Sequence, residues 1–132
     1  MTVTLGVRFA VDDARLDTLH RLAFGTAPGP VTPWAERLER HALTWVGAFA
    51  REDLVGFVHA CWDGGSHAFL LDTAVHPGHR RTGVGRDLVR ALAGEVRAAG
   101  CRWLHADYEP HLAAFYEGCG FRPTAAGLLD LA

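Results

Sequence analysis

A single α/β domain is what this 132-residue sequence predicts, with a mixed central sheet, mostly an antiparallel meander in its N-terminal half, flanked by helices. Three observations carry the prediction. Three apolar runs between residues 44 and 75 are separated only by turn signals, as an antiparallel meander requires. Past residue 83 the apolar period switches from two to about 3.6. Strand-like and helix-like stretches then alternate, and no repeat, linker or low-complexity segment interrupts the chain, so residues 1–132 read as one domain.

Taken in order, residues 5–9 alternate and predict a strand. Asp12 or Asp13 then caps a helix that carries Leu16, Leu19, Leu22 and Ala23 on one face. The glycines and prolines of 25–30 break it, and Pro33 stands near the start of a short helix over 34–42. Residues 44–50 and 54–62 are strands joined through 51–53. Asp63-Gly64-Gly65-Ser66 is a hairpin turn into a third strand over 67–75. Val84, Leu88, Val89, Leu92 and Val96 recur at helical spacing up to Gly100, which stands where a C′ glycine belongs. A strand over 102–108, a helix over 110–118 and a last strand or hairpin over 121–131 complete the order.

The net charge is −2, from 13 basic and 15 acidic residues, which argues against a binder whose affinity rests on a broad basic face. No apolar run approaches the roughly 20 residues of a membrane span, and residues 1–4 open no signal peptide. A soluble cytoplasmic protein is expected, with no nucleic-acid or membrane partner. All 13 cations are arginine. Without lysine there is no Schiff base, Walker lysine or ammonium base. Cys61, Cys101 and Cys119 form no CxxC pair and fit reduced thiols. His76 and His79 have HxxH spacing but straddle Pro77-Gly78 with no third ligand near in sequence, so no metal is expected.

Chemistry concentrates in residues 72–86, where a strand ends, turns, and passes through Arg80-x-x-Gly83-x-Gly85 into an amphipathic helix. The first helical turn offers unpaired N–H groups and the positive end of the helix dipole. Gly83 and Gly85 lack a Cβ, so an anion can approach the main chain. Arg80, Arg81 and Arg86 surround the place with positive charge. Arg86-Asp87 after Gly85 excludes a Walker loop, and Leu88 stands where a dinucleotide fingerprint needs its third glycine.

This Arg-x-x-Gly-x-Gly segment after a Val-x-Pro strand end, followed downstream by Phe115-Tyr116-Glu117-Gly118-Cys119-Gly120-Phe121, resembles the GNAT N-acetyltransferase family. The likeness is close over 69–121, and the element order agrees beyond it. It implies a GNAT-like domain with strands splayed at the cofactor site and acetyl-CoA as co-substrate. Backbone amides of Arg81, Thr82, Gly83, Val84 and Gly85 are then expected to hold the pyrophosphate, with Arg80 and Arg86 beside them. Val75, with Thr73 on the same strand face, falls where the family uses backbone to pair with the pantetheine arm and polarise the thioester. Tyr116 matches the tyrosine that protonates the departing thiolate, an acid suited to a thiol whose pKa is about 8.5; helix packing is the other reading of this residue. Cys119 falls at an apolar core position.

The sequence also departs from the family. Glu109 replaces a frequent asparagine seven residues before the tyrosine, and is expected to cap the following helix or face the acceptor. Phe69 stands near the position of the family's usual glutamate base. Asp72, His59, His105, Asp107 and Glu109 are the candidate bases, with no choice among them. Trp34, Trp45 and Trp62 line an acceptor cleft in one reading and fill the core in the other. The expected activity is acetyl transfer to an amine of a small molecule or peptide; a non-catalytic acetyl-CoA sensor is the alternative. The 127–132 tail leaves a sheet edge on which a homodimer could form.

Overall fold

The computed structural model describes residues 2–132. Strand β1 (Val3–Val7) precedes helix α1 (Asp13–Phe24). Asp12 is the N-cap: its carboxylate accepts from the Arg15 N–H at 3.1 Å, and Gly25 ends the helix in the left-handed region at φ 66°. Helix α2 (Trp34–His41) starts at Pro33, and the Asp13 carboxylate accepts from the Ala35 N–H at 2.7 Å, tying the two helices together. Strands β2 (Ala42–Ala50), β3 (Asp53–Trp62) and β4 (His67–Val75) form the expected meander. Helix α3 (Val84–Ala98), strand β5 (Trp103–Ala106) and helix α4 (Ala113–Gly118) follow.

The five strands lie in the order β1-β2-β3-β4-β5, antiparallel except for the last pair, in which β5 runs parallel to β4. The α3 connection makes that parallel pair possible, since parallel neighbours need a crossover. Alternation sorts the side chains of the central strands to two cores. Val46, Val58, Ala68 and Leu70 meet Val84, Leu88, Leu92 and Val96 of α3 on one face. Trp45, Phe57 and Ala74 meet Leu16, Leu19, Trp34 and Leu38 of α1 and α2 on the other. Each such large side chain contributes about 1.5–3 kcal/mol on burial. Gly56 lets α3 sit close, because a Cβ there would meet Leu88 Cδ1 at 2.8 Å.

Several expectations are corrected. The strand expected over 121–131 does not form: this stretch is irregular, and Leu128, Leu129 and Leu131 are 83–89% exposed. A strand persists only with a ladder partner and a face to bury, and Pro123 removes one donor while the small residues of 125–127 offer little apolar surface. Leu22 points outward, whereas Ala23 stays against the core. The helix expected over 110–118 is a 3₁₀ turn (Pro110–Leu112) followed by α4. Trp34 and Trp45 are core residues at 2% and 3% exposure, so they do not wall a cleft.

Candidate active site

The parallel ladder between β4 and β5 ends at Leu70 opposite Ala106, while β4 continues to Val75. Beyond that pair β5 has ended and β4 runs on without a partner on this side, which leaves a gap in the sheet. Backbone alternation then decides what faces the gap. The His76 N–H donates to the Val55 carbonyl of β3 at 2.8 Å, so the preceding N–H, that of Val75, points away from β3 and toward the gap. An unpaired backbone donor aimed into an opening is the sort of group a carbonyl ligand satisfies.

One irregularity in β4 distributes the side chains around the gap. His59 pairs with Leu71 and Phe57 with Ala74, so two residues of β4 stand opposite Val58 alone. Asp72, at φ 57°, makes this bulge. Thr73 then faces α4, where the Tyr116 hydroxyl donates to its Oγ1 at 3.2 Å. Asp72 faces the opposite way, into α1 and α2. Its Oδ1 lies 2.9 Å from His20 Nε2 and its Oδ2 2.7 Å from His59 Nε2, with Arg37 Nη2 at 4.0 Å. The bonds to this carboxylate offset the cost of a left-handed non-glycine backbone, of order 1–3 kcal/mol.

Tyr116 is 5% exposed, stacked on Tyr108 with ring centroids 4.7 Å apart and met edge-on by Phe115 and Phe121. Burial pushes its phenol above the ordinary tyrosine range despite the bond to Thr73, so the proton stays on oxygen at neutral pH. The ring packs in the core, and the hydroxyl is held on Thr73 of β4. Cys119 is partly buried and packs on the same core; burial raises its thiol, which disfavours a thiolate nucleophile.

At the mouth of the gap, helix α3 begins with Gly83 as N-cap at φ 86°. The first intrahelical bond runs from the Asp87 N–H to the Gly83 carbonyl at 3.0 Å, so the N–H groups of Val84, Gly85 and Arg86 have no helical acceptor. Arg81, at φ 60°, and Gly83, at φ 86°, both lie in the left-handed region, so the chain turns sharply into the helix. A Cβ on Gly83 would meet nothing within 4 Å, which leaves its outer side open to a ligand. Gly85 also serves packing, because a Cβ there would touch Phe115 at 3.2 Å and Val75 at 3.5 Å. It lets α3, α4 and β4 converge. Arg80 is engaged elsewhere, donating to the Ala23 carbonyl at 2.9 Å, and the Thr82 hydroxyl bonds back to the His79 carbonyl. Arg81 and Arg86 stay exposed beside the helix start. Unpaired amides, an open glycine and two cations fit a pyrophosphate, and the Val75 amide and Tyr116 hydroxyl fit a thioester beyond it.

The candidate bases fall apart into groups. His105 donates to or accepts from His67 at 2.7 Å and stacks on Phe69, on the outer face of β4 and β5. Asp107 and Glu109 are exposed, and Glu109 makes no side-chain cap to the helix after it, which removes the first of its two expected roles. Asp72 and His59 come together with His20, which sequence reasoning missed. Burial works to raise the Asp72 pKa, but the hydrogen bonds to His20 and His59 outweigh it and hold the carboxyl well below the usual carboxylate range. It is an acceptor, not a base, near neutral pH. Among the described residues no group of three or more His, Cys, Asp or Glu is placed to hold a metal ion, and no helix is long and apolar enough to cross a membrane.

A depressed folded pKa makes a stability prediction. Folding favours the ionised Asp72, so its contribution is complete above the unfolded carboxylate pKa of about 3.9 and is lost as pH falls through the lower folded value. Melting temperature measured from pH 7 to pH 2 is expected to fall less steeply below pH 4 in Asp72→Asn than in the unsubstituted protein. Parallel curves would place the acid sensitivity elsewhere.

The chain belongs to the acetyltransferase (GNAT) family, whose model matches residues 12–121, from the N-cap of α1 past the end of α4. Among curated proteins it is 32% identical over 72 residues to an uncharacterized N-acetyltransferase, ycf52, of Pyropia yezoensis, a match over 54% of this chain and 41% of that protein. The aligned stretch thus spans about two fifths of that relative. Among solved structures, a Trypanosoma brucei acetyltransferase superposes with a TM-score of 0.80 at 23% identity, over 98% of this chain and 100% of that one. AAC(6')-Iy, in complex with the bisubstrate analog CoA-S-monomethyl-acetylneamine, superposes with a TM-score of 0.79 at 20% identity, over 100% and 99%. These likenesses establish the fold: one α/β domain with an open, mixed five-stranded sheet.

Proposed function

We propose that the chain is an acetyl-CoA-dependent N-acetyltransferase that passes the acetyl group to a primary amine of a small molecule or peptide by direct attack, in the cytoplasm. The observation that carries this reading is the gap between β4 and β5, reached by the free Val75 amide and by the Tyr116 hydroxyl held on Thr73. Family membership and the bisubstrate complex of a structural neighbour support it.

Acetyl-CoA supplies the activated acetyl group as its thioester. Its pyrophosphate lies against the amides of Arg81, Thr82, Gly83, Val84 and Gly85, with Arg86 adding charge. The Val75 N–H donates to the thioester oxygen, where negative charge grows as the amine attacks. Tyr116 gives its proton to the departing sulfur. No covalent enzyme intermediate is required, which agrees with the raised thiol of Cys119.

Calorimetry with acetyl-CoA and desulfo-CoA is the first test, followed by thiol release with spermidine, kanamycin, glycinamide and a tripeptide as amines. Micromolar binding and release of CoA with at least one amine are expected. Binding with no turnover across a wider amine screen would turn the reading into that of a sensor. No binding at millimolar acetyl-CoA would overturn it.

A further inference from the structure

We infer that His20, oriented by Asp72, is the base that takes the proton from the acceptor amine. The inference rests on the transferase reading above and adds a residue on α1 that no motif singles out.

The side chains of β4 divide between two faces, and the inference assigns the acetyl donor to one and the amine to the other. Thr73 and Val75 face α3 and α4, where the anion cradle and Tyr116 lie. Asp72 faces α1 and α2, where it holds His20 and lies near Arg37, and in this inference the amine approaches β4 from that face. An ionised Asp72 accepts only, which requires both His20 and His59 to donate their Nε2–H to it. In each neutral ring Nδ1 is then the lone-pair nitrogen. In His59 that atom lies 3.9 Å from Cys61 Sγ, and the side chain is 2% exposed. In His20 it has no hydrogen-bond partner among the described residues, and the side chain is 24% exposed. His20 alone combines a fixed tautomer with an open acceptor nitrogen.

The ring is also held in place. Phe24 and Trp34 lie against it at centroid distances of 4.5 and 5.1 Å, and Arg37 of α2 lies over Trp34 at 4.9 Å. The titratable and charged groups around His20 are Asp72 from β4, His59 and Cys61 from β3, and Arg37 from α2. The Asp17 carboxylate on its own helix is occupied by Arg21 at 2.7 Å.

In the proposed step the amine nitrogen forms a bond to the acetyl carbon and loses one proton to His20 Nδ1. The carbon–sulfur bond breaks, and sulfur takes the Tyr116 proton. Solvent then removes the His20 proton and restores that of Tyr116, so amine and acetyl-CoA become amide and CoA.

Two measurements test this. Nitrogen-15 NMR of the free protein is expected to show the proton of the neutral His20 ring on Nε2, and a neutral ring protonated at Nδ1 would overturn the inference. His20→Gln is expected to lower kcat/KM about 10²-fold with the panel amine that reacts fastest. It should also remove the acid limb of the pH profile, respond to added imidazole, and leave calorimetric acetyl-CoA affinity unchanged. Unchanged kcat/KM with the same acid limb would overturn the role of His20 and spare the transferase reading. Loss of acetyl-CoA binding by the unsubstituted protein would instead overturn that reading, and this one with it.

Discussion

Gly83→Glu is expected to abolish acetyl-CoA binding. Two effects act together at this position. The outer side of Gly83 is open, so a side chain there projects into the space that the cradle leaves for a phosphate. A carboxylate about 4 Å from a phosphate repels it by about 4 kcal/mol at an effective dielectric near 20, which is close to 10³-fold in affinity. The backbone adds a second cost, since φ 86° is unfavourable to any side chain. Gly83→Ala separates the two, because it carries the strain without the charge or the length. Calorimetry and thermal melting on both variants decide the matter. Similar small losses of melting temperature, with affinity lost far more in the glutamate variant, are the expected pair. Equal affinity in Gly83→Glu and the unsubstituted protein would remove the pyrophosphate from this helix terminus.

Legibility in the sequence followed the range of the interaction. The α3 face, with Val84, Leu88, Leu92 and Val96, repeats at a period that one helix imposes on itself, and it was read correctly with its Gly100 terminus at φ 95°. The meander was equally readable, since Asp63-Gly64-Gly65 and Arg51-Glu52 announce tight connections. The free helix start at Gly83 was legible in the sequence, but the surroundings of its neighbours were not. Gly85 is also needed for packing and Arg80 holds the end of α1, contacts that depend on neighbours distant in sequence.

His20 shows the limit most clearly. It lies four residues after Leu16, on the inward side of α1, but its partner is 52 residues away. Asp72 reaches it only because a bulge turns the strand there, and β4 has no glycine or proline at the bulge to mark it. Aspartate tolerates positive φ better than most residues, which is the one local hint. The last strand failed for the opposite reason. Residues 121–131 have a plausible strand composition, but a strand is a property of a pair, and none of the five strands offers this stretch a ladder.

Tyr116→Phe is expected to lower kcat by about 10²–10⁴-fold while leaving acetyl-CoA affinity and the fold nearly intact. The ring keeps its stack on Tyr108 and its edge contacts with Phe115 and Phe121, so the core is undisturbed. What is lost is one hydroxyl and its bond to Thr73, worth about 0.5–1.5 kcal/mol of stability. A packing residue would show no more than that. An acid shows two further signs. Because burial raises the Tyr116 pKa, the basic limb of the kcat profile in the unsubstituted protein lies above the ordinary tyrosine value of about 10, and Tyr116→Phe removes that limb. The defect also depends on the leaving group, shrinking with an acyl donor whose thiol is more acidic and leaves unaided. Steady-state kinetics with acetyl-CoA and an activated thioester, each across pH, distinguishes the cases. Undiminished kcat in Tyr116→Phe would assign the tyrosine to packing alone and leave the departing sulfur to be protonated by solvent.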